Sequence, residues 1–385
     1  MNILKTLTLL LTAVISAAVI AMPTTAQKLF YEEERADISV SASAAILIEA
    51  DTGTVLYARN EKEHRSIAST TKIMTALLTL ESGNPDESFV VDSTAILVEG
   101  TSMGLKEGDI VTRRALCYGM LLPSGNDAAN AAAINISGSY SAFAEKMNNK
   151  ARALGMENSN FVTPSGLDAK GQYSCAYDLA LLAAYALKNE DFREICCKKS
   201  AKVKFGNPPT ERWLNNSNKL LKSYPDCFGV KTGFTDNAGR TLVSAASRNG
   251  VTLIAVTLSA PDDWNDHKKM LDYGFEKVRI QSAGYDISSL TLPVIGSDKE
   301  NAELIAKPVN LPITKSQKNG VTTIVHLPKF IYPNVKKGEA VGEIHYILNG
   351  RVIAVSEIVT AEEYESKPQE VDFFTNIIRF IKNLF

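Results

Sequence analysis

Residues 241–258 read TLVSAASRNGVTLIAVTL and predict a pair of strands in one sheet. Two strand-like runs, Thr241–Ala246 and Val251–Leu258, flank an Asn-Gly dipeptide that favours a tight hairpin turn. The residues that follow, His267–Val278, show the apolar spacing of a helix. This part of the chain therefore predicts two antiparallel strands followed by a helix.

The sequence before these strands adds another strand pair and several helices. Val40–Arg59 predicts a β-hairpin around a Gly-containing turn, and Ser69–Leu80 is apolar at helical spacing. The stretch Leu116–Glu190 is rich in Ala and Leu and is expected to be largely helical. The order strand, helices, strand pair, helix predicts one α+β domain whose sheet is assembled from both ends of the segment.

Beyond Gly284 the helical periodicity ends and short strand candidates follow, separated by prolines. Asn-Gly pairs at 319–320 and 349–350 predict two further hairpin turns. This part of the chain predicts a small all-β domain without a catalytic cluster. His326 and His345 each lie in an alternating strand, where packing or surface roles are the ordinary interpretation.

Length and composition limit the classes of protein that fit. A chain of 385 residues favours two domains. Its 41 Lys and Arg residues against 43 Asp and Glu residues give a formal net charge of -2, so nucleic acid is not expected as a partner. The 5 Cys residues include no C-x-x-C pair and are interpreted as mostly buried small apolar residues.

The first 26 residues predict a secretory signal peptide. Lys5 precedes the mostly apolar stretch Leu7–Met22, and small residues precede a cleavage site after Ala26. An uncleaved membrane anchor is the alternative, but polar residues interrupt a stretch that is shorter than the roughly 20 apolar residues needed to span a bilayer. The mature protein is therefore expected outside the cytoplasm.

The last residues, VDFFTNIIRFIKNLF (371–385), predict an amphipathic helix. At about 100° per residue its large apolar side chains share one face, while Arg379 and Lys382 lie on the polar side. Such a helix is too short to span a bilayer but is suited to a membrane surface with anionic headgroups. The alternative is a terminal helix that packs on the protein's own core.

The string STTK at 69–72 carries the first chemical signal. Ser-x-x-Lys at the start of a helix places the Ser69 hydroxyl and the Lys72 amine one turn apart on one face, so the amine can accept the hydroxyl proton. A lysine acts as a base only when neutral, and burial with a second nearby cation would lower its pKa. The Ser69 N–H, at the helix N-terminus, would face a developing oxyanion.

Two other short motifs each have an ordinary structural interpretation. Ser124 and Asn126 in the string PSGN offer a hydroxyl that relays a proton and an amide that binds a peptide group, but the same string fits a helix N-cap. In the string KTG, Gly233 lets a ligand backbone lie against the strand, Thr232 offers a hydroxyl and Lys231 supplies a cation. Its alternative is a hairpin edge protected by a lysine.

In this order the three motifs resemble those of the penicillin-recognising serine hydrolases, where S-x-x-K, S-x-N and K-T-G form one active site. The finer resemblance is to the low-molecular-mass penicillin-binding proteins, the serine D-alanyl-D-alanine carboxypeptidases of peptidase family S11. It rests on residues 67–78, 123–129 and 229–235 around the motifs and on residues 177–180. It continues through the all-β second domain and the amphipathic tail.

The resemblance implies the fold and its boundaries. The catalytic domain, residues 36–282, would be an α+β domain of the serine β-lactamase and transpeptidase type, with an antiparallel sheet flanked by helices plus a helical subdomain. An all-β domain would follow at 285–362, then a linker at 363–370 and a membrane-anchoring helix at 371–385. Residues 1–26 would be removed as the signal peptide, which leaves the enzyme on the outer face of the bacterial cytoplasmic membrane.

The resemblance also implies the roles of the motif residues. Ser69 would attack the carbonyl between the two terminal D-alanines of a peptidoglycan stem peptide, and Lys72 would take its proton. Ser124 would pass a proton to the leaving D-alanine, and β-lactam antibiotics would acylate the same serine. No metal or organic cofactor is implied. Substrate would be bound by Asn126, Lys231, Thr232 and Gly233, and the oxyanion by the N–H groups of Ser69 and Phe234.

One departure and two alternative functions accompany this resemblance. Some members carry an Arg upstream of K-T-G, whereas Asn215–Lys219 contains none, so carboxylate binding would rest on Lys231 and Thr232, with Arg240 an unsupported helper. A serine β-lactamase of class A would need a Glu-x-x-x-Asn loop, and Glu211–Asn215 fits that string but lies too close to K-T-G. A catalytically silent cell-wall scaffold of the same fold is disfavoured by three intact motifs.

Overall fold

The computed structural model describes residues 29–31 and 37–367. The chain divides between Val278 and Arg279 into two units, whereas the sequence analysis places this boundary at 282–285. The predicted signal peptide (1–26) and amphipathic helix (371–385) lie outside the described residues, and the predicted linker is described as far as Lys367.

The described residues of the first unit form two sheets. Their strands are β1 (Phe30–Tyr31), β2 (Ala44–Glu49), β3 (Thr54–Arg59), β4 (Ser88–Val90), β5 (Ile110–Thr112), β6 (Ser200–Gly206), β7 (Pro209–Asn215), β8 (Cys227–Thr235), β9 (Gly239–Arg248) and β10 (Val251–Leu258). The larger sheet has the order β1-β3-β2-β10-β9-β8 and the smaller one β4-β5-β6-β7. The large sheet thus combines strands from both ends of the unit, as predicted, and β8 is its free edge.

Both predicted hairpins of the large sheet are confirmed. Arg248 pairs with Val251, and the intervening Asn249 and Gly250 have φ of 51° and 83°, the left-handed conformation that an Asn-Gly turn supplies. The strands β2 and β3 pair antiparallel. The string Glu211–Asn215 lies within β7, so it forms a strand and not a loop.

The helices of the first unit are α1 (Lys72–Glu81), α2 (Arg113–Leu121), α3 (Asn126–Ser137), α4 (Tyr140–Ala153), α5 (Ala176–Ala186), α6 (Glu190–Cys196), α7 (Leu220–Ser223) and α8 (Asp263–Lys277). α5 and α8 both pack on β10 and β2. α8 approaches the sheet closely at Gly274, where a Cβ would lie 2.6 Å from Leu253 Cδ1 and 3.0 Å from Leu47 Cδ2. The neighbouring Ile46 and Ile254 alternate to the opposite face and join the main core with α1 and α5.

Two helix predictions differ in part from the structure. The segment predicted to begin a helix at Ser69 is a 3-10 turn at Ala68–Thr71, and α1 begins at Lys72. The region Leu116–Glu190 contains α3, α4 and α5, but its residues between Ala153 and Ala176 are irregular. The interpretation of the cysteines is confirmed, because all five are free and only Cys197 is not buried.

The described residues of the second unit form an all-β domain, as predicted. Its strands, with β11 starting at the unit boundary, are β11 (Val278–Ala283), β12 (Leu304–Ala306), β13 (Val309–Thr314), β14 (Thr322–His326), β15 (Ala340–Leu348) and β16 (Arg351–Thr360). β12-β16-β15-β14 form one sheet, and β11-β13 form a pair. The core between them includes Leu311, Ile344, Tyr346 and Ile358.

One of the two predicted hairpins in this unit is wrong. Leu348 pairs with Arg351 across the Asn-Gly turn at 349–350, which confirms that hairpin. The Asn-Gly pair at 319–320 instead ends a 3-10 turn at Ser316–Gly320. The strands on either side of it belong to different sheets, because β13 pairs with β11 and β14 with β15. Among the residues that the structure describes, no helix has the length and apolar character to cross a membrane.

Candidate active site

The predicted nucleophile lies on the 3-10 turn that leads into α1. Ser69 is half-buried, and Lys72, the first residue of α1, is fully buried with its Nζ 2.7 Å from Ser69 Oγ. The 3-10 turn preserves the predicted spacing, since residues three apart lie above one another in that conformation. Ala68, immediately before the serine, has φ 46°, an uncommon value for alanine.

Lys72 Nζ has three partners, each at 2.7 Å. They are Ser69 Oγ, Asn126 Oδ1 and the carbonyl oxygen of Ser165. The orientation of the Asn126 amide is set by its Nδ2, which donates to Glu99 O at 2.7 Å. Asn126 Oδ1 and Ser165 O can therefore only accept. A neutral Lys72 would donate its two N–H groups to these oxygens and present its lone pair to the Ser69 hydroxyl.

The electrostatic surroundings of Lys72 favour this neutral form. Burial and, to a lesser degree, the neighbouring Lys231 hold the pKa of Lys72 well below its ordinary value, against a smaller opposing effect of Asp127. Lys231 is itself buried on β8, and its Nζ donates to Thr232 O at 2.6 Å. Burial lowers the pKa of Lys231 to about 7.

The second motif lies in the connection between α2 and α3. Ser124 is buried with φ 69°, and α3 begins at Asn126, so Gly125 and not Ser124 is the N-cap residue. A Cβ at Gly125 would lie 2.7 Å from Asp127 Oδ1 and 2.8 Å from Met103 N. Glycine is therefore needed where this turn passes the neighbouring segment.

Asp127 organises that neighbouring segment and was not singled out by the sequence analysis. Its carboxylate accepts from the backbone N–H groups of residues 103, 104 and 105 at 2.9, 3.1 and 3.0 Å, and from Ser102 Oγ at 2.6 Å. The same segment supplies Glu99 O to Asn126 and a Thr101 hydroxyl that donates to Ser124 O. In sequence Asp127 is indistinguishable from an ordinary acidic residue in the first turn of a helix.

The third motif lies on the free edge of the large sheet. A Cβ at Gly233 would lie 2.4 Å from Thr241 Oγ1 and 2.9 Å from Ser69 N, so the absent side chain lets the nucleophile turn pack against β8. Thr232 Oγ1 lies 2.8 Å from Ser217 Oγ. Phe234 is exposed and pairs with Arg240 across β8 and β9. An edge strand leaves backbone groups free to pair with an extended ligand.

These residues surround one cavity of about 500 Å³ in the first unit. Lys72 and Lys231 are not exposed to it but contact its wall through Ser69 and Thr232. The structure therefore brings all three motifs together, although they are far apart in the chain. The predicted residues that line the cavity are Ser69, Ser124, Asn126, Thr232, Gly233 and Phe234.

The cavity wall also contains Arg240, which the sequence gives as an unsupported helper in carboxylate binding, and Ser217, whose contact the sequence does not reveal. Arg240 reaches the cavity, but its Nη2 and Nε donate to Asp263 Oδ1 at 2.6 and 3.0 Å, and its guanidinium lies over the Trp264 ring. The positive charge of Arg240 is thus already paired. Ser217, inside the stretch that lacks an arginine, is the polar side chain nearest to Thr232 Oγ1 in the described contacts.

None of the four histidines lines this cavity. His267 is buried between Ser244 Oγ at 2.5 Å and Thr257 Oγ1 at 2.9 Å, and burial lowers its pKa to about 3. It is a neutral core residue on α8. The base candidate in this site is therefore the lysine.

Comparison with known families gives two matches that together cover most of the chain. The family described as D-alanyl-D-alanine carboxypeptidase matches residues 30–262, and the one described as the penicillin-binding protein 5 C-terminal domain matches residues 275–366. Among curated proteins, D-alanyl-D-alanine carboxypeptidase DacF of Bacillus subtilis (strain 168) is 33% identical over 338 residues, 85% of this chain and 87% of the relative. DacC of Escherichia coli (strain K12) is 32% identical over 365 residues, 90% and 89% of the two chains.

Solved structures of a penicillin-binding protein and of a DD-transpeptidase superimpose on this chain. Penicillin binding protein 5 from Haemophilus influenzae superimposes with a TM-score of 0.63 at 27% identity, over 86% of this chain and 100% of that one. The Streptomyces K15 DD-transpeptidase superimposes with a TM-score of 0.60 at 33% identity, over 63% of this chain and 99% of that one. The first comparison spans both units.

Proposed function

The chain belongs to the D-alanyl-D-alanine carboxypeptidase family of serine peptidases, and from this premise we propose how its own residues carry out the reaction. It is a serine hydrolase whose substrate is the peptidoglycan stem peptide and which binds penicillin. A carboxypeptidase activity agrees with the family and with the named relatives better than either alternative, a serine β-lactamase or a catalytically silent cell-wall scaffold.

Acylation begins at Ser69. Its Oγ attacks the carbonyl carbon of the penultimate D-alanine while its proton passes to Lys72 Nζ, so a C–O bond forms as the O–H bond breaks. The observation that carries this assignment is the set of partners around Lys72 Nζ. Two obligate acceptors take its N–H groups, which leaves the lone pair for the serine hydroxyl at 2.7 Å.

The C–N bond to the terminal D-alanine then breaks, and the leaving nitrogen needs a proton. Ser124 would relay that proton from Lys72; this role is supported by its place in the lining of the same cavity and by the Thr101 hydroxyl that donates to its backbone carbonyl. Water then hydrolyses the ester and restores the Ser69 hydroxyl. The products are free D-alanine and a stem peptide shortened by one residue.

The substrate is held by β8 and by Asn126. The stem peptide pairs as an extra strand with the free edge of β8, and its terminal carboxylate lies at Lys231, Thr232 and Gly233. The N–H groups of Ser69 and Phe234 hold the oxyanion. The 2.9 Å separation between Ser69 N and the Cβ position of Gly233 supports this, because a larger residue at 233 would crowd the backbone that carries the Ser69 N–H.

The cellular location is part of the same proposal. The family acts on the cell wall, which agrees with a location outside the cytoplasm, and the sequence of residues 1–26 supports export. The sequence of residues 371–385 supports peripheral attachment to the outer face of the cytoplasmic membrane. Once the signal segment is cleaved, deleting those residues should move the protein from the membrane fraction to the soluble fraction; no change in the cleaved protein would contradict the attachment.

A fluorescent penicillin tests the nucleophile. It should label the purified protein covalently, and Ser69→Ala should abolish the label, whereas Ser82→Ala, just beyond the other end of α1, should not. Persistence of the label in Ser69→Ala would contradict the assignment. A paired assay should find D-alanine released from a peptide ending in D-Ala-D-Ala and slow turnover of a chromogenic cephalosporin. Fast cephalosporin turnover without D-alanine release would instead support a β-lactamase.

A further inference from the structure

Three large hydrophobic side chains of the second unit are exposed on two segments that contact each other. Ile295, Phe330 and Tyr332 are 51%, 44% and 66% exposed. Ile295 N donates to Ile331 O at 2.9 Å, and the rings of Phe330 and Tyr332 meet edge to face at 5.4 Å. We call Ile295, Phe330 and Tyr332 the aromatic patch.

The backbone below the aromatic patch is fixed by hydrogen bonds and packing. Ile331 N donates to Pro293 O at 2.9 Å, and Val294 is buried in a small apolar cluster. A Cβ at Gly296 would lie 3.6 Å from Pro333 Cγ, so the two segments are in close contact. The exposed side chains are therefore presented by an ordered surface and not by a loose loop.

The described chain ends beside the aromatic patch. Lys367 N donates to Gly296 O at 2.8 Å, and Asn334 N donates to Tyr364 O at 2.6 Å. Tyr364 is buried, so the path of the chain to this point is fixed. The amphipathic stretch 371–385 follows only four residues after Lys367 in the sequence. In sequence, the predicted membrane-binding segment therefore begins only a few residues after one that contacts the patch segment.

Cationic side chains accompany the patch. Lys329 directly precedes Phe330, and Lys336 and Lys337 follow in the same segment; all three are exposed. Amphipathic aromatic rings are enriched at the membrane–water interface, and lysines near the surface are attracted to anionic headgroups. The combination matches a lipid surface better than it matches a hydrophobic protein partner, whose contact surface would be depleted of lysine.

We propose that the aromatic patch is a second membrane-contact surface, which enters the interfacial zone of an anionic bilayer beside the C-terminal amphipathic segment. Single exposed hydrophobic residues are ordinary, but here three lie on two segments that are hydrogen-bonded to each other and to the last described residue of the chain. A single attachment would let the second unit turn about its tether, whereas two neighbouring contacts define which side faces the bilayer. The inference rests on the proposed membrane location.

Vesicle sedimentation tests the patch in the full chain without its signal peptide. Phe330→Ser combined with Tyr332→Ser should weaken partitioning onto anionic phospholipid vesicles about tenfold, because the affinity of a protein for a bilayer scales with the apolar area that it inserts. The matched control is Ile324→Ser combined with Val355→Ser, two residues that are 48% and 47% exposed and flank His345 on the four-stranded sheet. The control should partition like the parent chain. Equal partitioning of the patch variant and the parent would overturn the proposal.

A conservative variant gives a second, independent measurement. Tyr332→Trp should retain binding and should show fluorescence quenching by brominated lipids beyond that of the two native tryptophans, whereas Ile324→Trp should add none. Absence of extra quenching at 332 would also overturn the proposal. Deleting 371–385 separates the two contacts. If that deletion removes all binding while the patch variant changes nothing, the tail is an anchor and the patch is not. If the parent chain itself ignores the vesicles, the membrane location and the patch proposal both fail.

Discussion

Gly233→Ala is the substitution that tests the geometry of the site most directly. The added Cβ would lie 2.4 Å from Thr241 Oγ1, 2.9 Å from Ser69 N and 3.1 Å from Thr70 N. A side-chain hydroxyl can rotate away, but the two backbone nitrogens belong to the turn that leads into the buried helix α1 and have little freedom to shift. The new methyl group would therefore crowd the backbone that carries the Ser69 N–H and obstruct its use as an oxyanion donor.

The expected loss follows from that position. Removing one oxyanion donor costs about 10²–10³ in rate, or about 3–4 kcal/mol of transition-state stabilisation. We expect the second-order rate of acylation by a fluorescent penicillin to fall by about a hundredfold or more in Gly233→Ala. The assay is stopped-flow or quenched labelling of purified protein, with the thermal midpoint measured in parallel to confirm that the domain remains folded.

A second substitution distinguishes an obstructed oxyanion site from a strained sheet. Thr241→Ala removes the side-chain contact but leaves the backbone of Ser69 where it is, at the cost of one hydrogen bond from Thr241 Oγ1 to Ile67 O at 3.2 Å. If the obstruction explanation is right, Gly233→Ala combined with Thr241→Ala stays slow while Thr241→Ala alone is nearly normal. Recovery of the double variant to the rate of Thr241→Ala, or a Gly233→Ala rate within a few-fold of the parent, would refute the reasoning.

Three further predictions concern other buried groups. Burial raises the pKa of Glu49 from its ordinary 4.5 to about 7. The folded state therefore binds this proton more tightly than the unfolded state does. The free energy of unfolding should fall by about 3 kcal/mol as the pH rises from 4.5 to 7. Glu49→Gln should abolish this slope in thermal unfolding, and an unchanged slope would contradict the assignment. Asp127→Asn should slow acylation about tenfold, because the Asp127 carboxylate accepts from three backbone N–H groups and the Ser102 hydroxyl of the segment 102–105. A normal rate would show that this segment does not position Asn126. The KM for a peptide with a free terminal carboxylate should rise as the ammonium of Lys231 is lost above about pH 7, and Lys231→Arg, which stays charged, should flatten that rise.

The fold was predictable where short-range chemistry decides it. The Asn-Gly turn at 249–250 sets the strand pair at the centre of the sheet, because that dipeptide tolerates the left-handed backbone the turn requires. The same dipeptide at 319–320 was misleading. The strands beside it pair with partners elsewhere in the chain, and no local pattern encodes which partner a strand chooses.

The site was predictable in its motif residues but not in what supports them. Ser69 and Lys72 are three residues apart, so their contact is a local property of one turn. The Ser165 carbonyl that accepts from Lys72 lies on an irregular segment 93 residues away, and a backbone carbonyl leaves no mark in the sequence. Asp127 and Ser217 are ordinary polar residues until the structure shows what their oxygens contact. Distant backbone groups and common polar side chains are thus the part that sequence patterns do not reveal.

The two buried lysines of this site, Lys72 and Lys231, need opposite charge states, and their surroundings explain how each reaches the state it needs. Lys72 must be neutral to accept a proton, and Lys231 must be charged to hold a carboxylate. Burial favours the neutral form of both. A substrate carboxylate would restore the charged form of Lys231, but the resulting ion pair has little net field at Lys72. The neighbouring cation therefore cannot keep Lys72 neutral in the substrate complex. Burial, the larger of the two effects on its pKa, must do so, which means that Lys72 depends on the packing around α1 while Lys231 depends on the ligand.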